Sequence, residues 1–202
     1  MKNNTLKILF ITFFLLLSIG YSNAIEPPYL KDTSNVWVDS ILKTMTLDEK
    51  IGQLFMVAAY SNKDETSYQT IDKYIKEYKV GGVIFFQGTA QKQAELTNRY
   101  QAQSKLPLWV GFDGEWGLGM RLDNTISYPR QLTLGAIDDI SLIYDMGSEI
   151  ARQMKRIGIN INFAPDIDIN SNPNNPVIND RSFGDNKFGV VRRGLMYMKG
   201  LQ

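Results

Sequence analysis

Asp113 and Glu115 stand two residues apart just past an apolar run, 107–112 (PLWVGF), and Arg121 lies eight residues beyond Asp113. A carboxylate accepts two hydroxyl hydrogen bonds at once, and a guanidinium donates several in a fixed plane. Together they suit the vicinal hydroxyls of a sugar. Gly114, Gly117 and Gly119 follow Asp113 within six residues, so the backbone there can turn tightly or come close to a ligand. Trp116 offers an apolar face to a sugar ring, or merely packs. The same residues also make an ordinary salt-bridged loop, because ion-pair networks resemble sites in composition. Residue types alone leave both readings open.

A second polar cluster follows the run 158–165 (GININFAP). Asn160, Asn162, Asp166 and Asp168 are interleaved with Ile159, Ile161, Phe163 and Ile167. A loop rich in Asn and Pro spans 170–179, and Asp180-Arg181-Ser182-Phe183-Gly184 comes after it. Asx-rich loops usually bond their own backbone, so most of these asparagines are expected to be structural. Arg181 follows a long loop and precedes a helical pattern, from where its side chain can reach a central site. The competing expectation is a pairing with Asp180 or Asp185. Asp113 and Asp168 are one conceivable carboxylate pair for glycoside hydrolysis. Chain spacing says nothing of their separation, and a strand-end carboxylate serves equally as a binder or an ion-pair partner.

Other chemistries are excluded by what the chain lacks. With no His there is no imidazole base, no Ser-His pair and no His metal ligand. With no Cys there are no disulfides, thiolate nucleophiles or Cys metal sites. The stretch Gly-Glu-Trp-Gly-Leu-Gly at 114–119 lacks the Gly-Lys-Ser/Thr ending of a phosphate loop and the spacing of a dinucleotide fingerprint. No metal or organic cofactor is suggested. The 22 basic and 21 acidic residues nearly cancel and form no basic block, so nucleic acid is not an expected partner.

These polar clusters need elements to hold them. Residues 1–24 read as a secretory signal peptide: Lys2 and Lys7, an apolar run over 8–19, then Ser22-Asn23-Ala24 with small residues at the cleavage positions. The run is about a dozen residues, short of the roughly 20 that a spanning helix needs. No stable membrane anchor is therefore expected after cleavage. Export without disulfides fits a bacterial periplasm or cell surface. Residues 25–35, with Pro27 and Pro28, read as an extended linker.

From Val36 the pattern turns helical, with Trp37, Ile41, Leu42 and Met45 on one face. Thr46 and Glu49 have the spacing of a capping box opening a second helix. Residues 52–59 read as helix running into a first strand. A rhythm follows: helix over 68–78 with Ile71, Tyr74, Ile75 and Tyr78 on one face, strand over 80–86, helix over 89–105 and strand over 107–112. Then come helix over 139–157, strand over 158–165 and helix from 185 to the end. Strands alternating with helices indicate βα units and a parallel sheet. The strands are apolar on both faces, as a covered sheet requires. A doubly wound open sheet and a (β/α) barrel both fit. About four strands are counted, against the eight and the roughly 250 residues typical of a barrel. The pattern ends inside a helix, so the expectation is a small open-sheet protein or a fragment of a larger one.

Several segments, in order, resemble glycoside hydrolase family 3, in its exported β-N-acetylglucosaminidase branch. Met45-Thr46-Leu47-Asp48-Glu49-Lys50-Ile51-Gly52-Gln53 is similar to the family's opening helix, and Val80-Gly81-Gly82-Val83-Ile84-Phe85-Phe86 to its second strand. Val110-Gly111-Phe112-Asp113-Gly114-Glu115 with Arg121 resembles its Asp-x-Glu-Gly-Gly…Arg segment. Residues 158–168 resemble its Asn-Phe-Ala-Pro-x-x-Asp strand end, and Arg181-Ser182-Phe183-Gly184 its Arg-Ser-Phe segment. Gly114 and Trp116 depart from the pattern, where Gln and Gly are frequent.

The resemblance, which runs from about Trp37 onward, implies a (β/α)8 TIM-type barrel of which about the first half is present, over residues 36–202. It implies that Asp113 binds hydroxyls of the non-reducing sugar, that Arg121 and Arg181 help hold it, and that Glu115 and Asp168 support them. It implies a retaining hydrolase that removes terminal N-acetyl-β-hexosamine from glycans or cell-wall fragments. The family's Lys-His pair, His-Asp acid/base pair and Asp nucleophile are expected beyond Gln202, so no catalytic residue is expected in this chain. The alternatives are a β-glucosidase of the same family and a non-catalytic sugar-binding module.

Overall fold

The computed structural model describes residues 35–202; the signal peptide and nearly all of the linker expected from the sequence lie outside the described residues. Helix α1 (Val36–Thr44) belongs to one unit, and residues 45–202 form another. Asn35 caps α1 through its side-chain oxygen, which accepts from the Trp37 and Val38 amides at 3.0 and 3.3 Å. None of the residues within α1 on the expected apolar face is buried.

In the larger unit, α2 (Leu47–Gly52) opens with the expected capping box. The Glu49 amide donates to Thr46 Oγ1 at 3.2 Å, and the Thr46 amide to Glu49 Oε2 at 2.9 Å. Two orphan donors are thereby satisfied reciprocally. The chain then passes through β1 (Met56–Ala59), α3 (Glu65–Lys76), β2 (Gly82–Phe85), β3 (Gly88–Thr89), α4 (Ala90–Gln103) and β4 (Trp109–Phe112). A 3₁₀ turn (Leu118–Met120), β5 (Leu122–Asp123), α5 (Gln131–Gly135), α6 (Ser141–Arg156) and β6 (Ile161–Asn162) follow, then a second 3₁₀ turn (Asn179–Arg181) and α7 (Lys187–Leu201). The short strands β3 and β5, which pair with each other in parallel, and helix α5 have no counterpart in the sequence reading.

The main sheet runs β1-β2-β4-β6, entirely parallel and in chain order, with a helix in each connection. A doubly wound sheet reverses its order at a switch point; among the described strands the order never reverses. Val83 and Val110, and Phe85 and Phe112, lie in register and are buried in the core with Ile71, Ile75, Leu96, Tyr100, Ile143, Ile150 and Met154 of the helices. The alternate residues face the other way, as the period of two demands. On that face Met56, Gly82 and Trp109 share one level, and Ala58, Ile84, Gly111 and Ile161 the next. Met56 lies across the sheet over both glycines, and Phe163 packs on Gly111: a Cβ on Gly111 would come 2.8 Å from Met56 Sδ and 2.9 Å from Phe163 Cε2. Helices cover one apolar face only, while the other leaves Trp109 and Phe163 more than half exposed. This is the opening half of a (β/α)8 barrel, whose interior is filled by layers of such side chains.

Strand β6 is shorter than the expected 158–165 because asparagine side chains take over its ladder. Val110 N–H donates to Asn160 Oδ1 at 2.8 Å and Gly114 N–H to Asn162 Oδ1 at 2.9 Å. Helices α6 and α7 meet at glycines: a Cβ on Gly147 would lie 2.7 Å from the Tyr197 carbonyl oxygen and 3.3 Å from Gly200 Cα. Ordinarily Gly→Ala inside a helix gains about 1 kcal/mol. Here overpacking, typically about 1–3 kcal/mol, opposes it. Gly147→Ala is expected to lower the urea midpoint of unfolding, whereas Gly189→Ala in α7, where the nearest atom is the end of the flexible Arg193 side chain at 3.3 Å, is expected to leave it unchanged or raise it.

Candidate functional site

Every residue singled out from the sequence falls at or near the C-terminal ends of β4 and β6. In parallel α/β architectures that edge is where ligands bind. Asp113 directly follows β4, and its Oδ2 accepts from Arg121 Nη2 at 2.8 Å. Both side chains are partly open to solvent, at 26% and 20% of full exposure. The Arg121 guanidinium also lies over the Phe86 ring, 5.0 Å from its centroid, and Phe86 stacks on Tyr60 at 5.4 Å. Arg121 is thus oriented by a carboxylate and an aromatic face together. Gly117 bends the loop with φ of 84°, in the left-handed region that favours glycine.

Glu115 is buried, with 4% of its surface exposed. Arg181 reaches it from 66 positions along the chain. Arg181 Nε donates to the two Glu115 oxygens at 3.0 and 3.1 Å, and Nη2 donates to Oε1 at 2.8 Å. This bidentate fork fixes the guanidinium plane. Glu115 holds the Arg181 pKa above its ordinary value through these bonds. Tyr197 of α7, itself fully buried, secures the loop from beneath. Its hydroxyl lies 3.0 Å from the Gly114 carbonyl oxygen and 3.2 Å from that of Glu115. Burial pushes the Tyr197 phenol pKa up, so it remains a donor.

The sequence alternatives for Arg181 are not what forms. Asp180 pairs with Arg130 Nη1 at 2.9 and 3.0 Å, and Arg130 covers the Trp116 ring at 4.4 Å from its centroid. Trp116 therefore packs under a cation. Arg181 instead has a second acidic partner, Asp166, whose Oδ2 lies 2.9 Å from Nη2. Burial, above all, pushes the Asp166 carboxyl up to about 6, with a hydrogen bond to Asp168 adding and Arg181 opposing. The Asp168 side chain is exposed, while its carbonyl oxygen accepts from Ser182 Oγ, tying the strand end to the Arg181 segment.

Sequence reasoning did not assign Asp166, Phe86, Tyr60, Asn162 or Tyr197 to the site. Two of these carried a signal: Phe86 ends an apolar run at a strand mouth, and Asp166 alternates with Asp168 beyond another. The reach of Tyr197 to β4 has no local signature.

The arrangement is a strand-end row of carboxylate–arginine pairs in which Asp113, Arg121, Asp166 and Arg181 are partly open to solvent and Glu115 is buried. Residues 46–202 match the model of the glycosyl hydrolase family 3 N-terminal domain. The chain belongs to this family. It is 36% identical over 146 residues to "Beta-hexosaminidase A" of Pseudoalteromonas piscicida, covering 65% of this chain and 24% of that protein. It is 29% identical over 177 residues to "Beta-N-acetylglucosaminidase/beta-glucosidase" of Cellulomonas fimi, covering 87% and 30%. The solved family 3 β-N-acetylglucosaminidase from Paenibacillus sp. str. FPU-7 superposes with a TM-score of 0.69 at 34% identity, covering 78% of this chain and 31% of that one. The chain spans about a quarter to a third of the length of these family 3 relatives.

Removing one partner of a buried pair leaves an uncompensated charge and typically costs about 3–5 kcal/mol, whereas removing both is far milder. Arg181→Met is expected to destabilise the chain on that scale. Adding Glu115→Gln is expected to recover at least half of the loss, as read by denaturant unfolding of the two single variants and the double variant.

Proposed function

We propose that this chain forms the sugar-gripping half of a retaining exo-β-N-acetylhexosaminidase acting on terminal N-acetyl-β-hexosamine residues of glycans or cell-wall fragments. The observation that carries the reading is Asp113: a strand-end carboxylate, partly open, with its Arg121 partner held in plane and donors to spare. In this reading Asp113 accepts from vicinal hydroxyls of the non-reducing sugar, and Arg121 and Arg181 donate to its oxygens. Glu115 and Asp168 act behind them, Glu115 by fixing Arg181 and Asp168 by tying down its segment. The hexosaminidase names of the relatives support the N-acetylated sugar. The dual name of the Cellulomonas fimi protein keeps a β-glucosidase as the alternative.

The chemistry itself belongs to residues outside this chain. Retention requires two catalytic groups on opposite sides of the bond. The chain has no His, and Asp113 and Glu115 are each committed to an arginine. A complete sugar-binding module is a poorer reading, because the inner sheet face carries exposed Trp109 and Phe163. Such surface is the lining of a larger barrel. We further propose that residues 1–24 direct export and are removed, and that residues 25–35 are a linker. This places the mature protein in a periplasm or at a cell surface. No helix among the described residues is long and apolar enough to cross a membrane.

A protein carrying the whole family-length barrel is expected to release 4-nitrophenol from the N-acetyl-β-glucosaminide in preference to the β-glucoside, while residues 25–202 alone release none from either. Asp113→Asn in the longer protein removes charge-assisted bonds and is expected to lower kcat/KM about 10- to 100-fold. Hydrolysis by residues 25–202 alone overturns the division of labour, and a preference for the glucoside moves the assignment to the alternative.

A further inference from the structure

The pairing of the main sheet runs on past the ends of its strands. Phe86 N–H donates to the Ala59 carbonyl oxygen at 2.9 Å, Ser61 N–H to that of Gln87 at 3.0 Å and Phe163 N–H to that of Phe112 at 2.9 Å. The register that aligns Ala58, Ile84, Gly111 and Ile161 on the inner face therefore extends by one more layer. With a period of two, that layer is Tyr60, Phe86, Asp113 and Phe163. Tyr60 thus stands on the same face as Asp113, two strands away, at the mouth where the carboxylate–arginine row begins. Its ring stacks on Phe86, with 5.4 Å between centroids and 24° between planes, and Lys63 Nζ lies 5.6 Å from its centroid. Side chains stand roughly perpendicular to a sheet, so the ring carries its hydroxyl away from the backbone into the mouth. That hydroxyl is free. The hydroxyl of Tyr68 lies 3.2 Å from the Ser61 carbonyl oxygen and that of Tyr197 lies 3.0 Å from the Gly114 carbonyl oxygen. Among the described residues none bonds to the hydroxyl of Tyr60, which is 37% exposed. A ring held by its neighbours with a free polar tip loses little entropy when it meets a ligand.

We propose that Tyr60 is a further substrate-contacting, specificity-determining residue, whose hydroxyl donates a hydrogen bond to the oxygen on C6 of the non-reducing sugar. The inference rests on the reading of Asp113 as the group that grips this sugar. A terminal N-acetyl-β-glucosaminide has free hydroxyls on C3, C4 and C6. Only those on C3 and C4 are vicinal, so they are the pair for the Asp113 carboxylate, and the C6 hydroxyl is left over. Tyr60 and Asp113 are two strand spacings apart, about 10 Å. One sugar ring with a hydrogen bond of about 2.8 Å at each end fills that gap. Phe86 lies between them on the β2 side and Phe163 beyond Asp113, and neither has a polar side-chain atom. Within this layer Tyr60 is therefore the polar group available to the far end of the sugar. Arg121 leans over Phe86 and is occupied by Asp113. The contact discriminates between sugars. One that lacks the C6 hydroxyl leaves the tyrosine hydroxyl without a partner once the mouth is filled.

The test uses the longer, family-length protein, with N-acetylglucosamine and its 6-deoxy analogue as probes and calorimetry as the readout. Tyr60→Phe keeps the ring on Phe86 and removes only the hydroxyl. It is expected to weaken binding of N-acetylglucosamine about three- to tenfold, the worth of one neutral hydrogen bond. The wild type is expected to lose the same factor when the sugar is changed to the 6-deoxy analogue, and Tyr60→Phe to bind both sugars alike. If Tyr60→Phe binds N-acetylglucosamine as tightly as the wild type, the ring serves only to prop Phe86 and the proposal is overturned. If the variant weakens both sugars equally, the hydroxyl acts through Phe86 and Arg121 and not on C6, which overturns it as well. Asp113→Asn in the same series separates this inference from the reading beneath it. If Asp113→Asn weakens binding and Tyr60→Phe does not, the role of Tyr60 falls and the sugar-gripping reading stands. If Asp113→Asn leaves binding untouched, that reading falls and the role of Tyr60 with it.

Discussion

The ion pair between buried Glu115 and partly exposed Arg181 is the constraint on which the rest of the site depends. A carboxylate at 4% exposure is tolerated only with a partner that satisfies both oxygens. Arg181 does so in a bidentate geometry. The pair joins the loop after β4 to a 3₁₀ turn 66 residues later, and thereby fixes how the long Asn/Pro loop between β6 and α7 closes. Tyr197 reinforces the same point from α7, and that helix stays close enough only because Gly147 and Gly200 let two helix backbones meet. Helix packing, loop closure and site geometry are one coupled arrangement.

This coupling explains how half of a barrel carries a defined strand-end edge. Asp113 and Glu115, two residues apart, have opposite fates. Glu115 is inside and is used up by Arg181, whereas Asp113 is partly open and only partly used by Arg121. A buried support beside a partly open carboxylate is how a strand end holds a side chain in place without occupying it. Phe86 gives Arg121 a second surface to lie on, so its direction does not rest on Asp113 alone.

Much of the architecture was legible in the sequence. The capping box of Thr46 and Glu49, the alternation of apolar runs with helical patterns and the polar residues at strand mouths are local signals, and each appears where expected. Tertiary context decided the remainder. Strand β6 is cut short because Asn160 and Asn162 supply side-chain acceptors to the ladder, which periodicity does not register. The pairing of β3 with β5 joins two-residue segments more than thirty positions apart, too short to show a period. Asp180 looked a natural partner for Arg181 by adjacency, yet it faces Arg130, and the partners of Arg181 come from two distant segments. Ion-pair choice is set by which strand ends meet, and adjacency in the chain does not encode it.

The central claim is that this strand-end row grips the non-reducing sugar. A crystal structure of the whole protein with N-acetylglucosamine bound tests it most directly. The account predicts the Asp113 carboxylate within hydrogen-bonding distance of two adjacent ring hydroxyls, with Arg181 turned toward the sugar and still clasped by Glu115. A sugar seated elsewhere, or one that leaves Asp113 and Arg181 in contact only with protein, would contradict it.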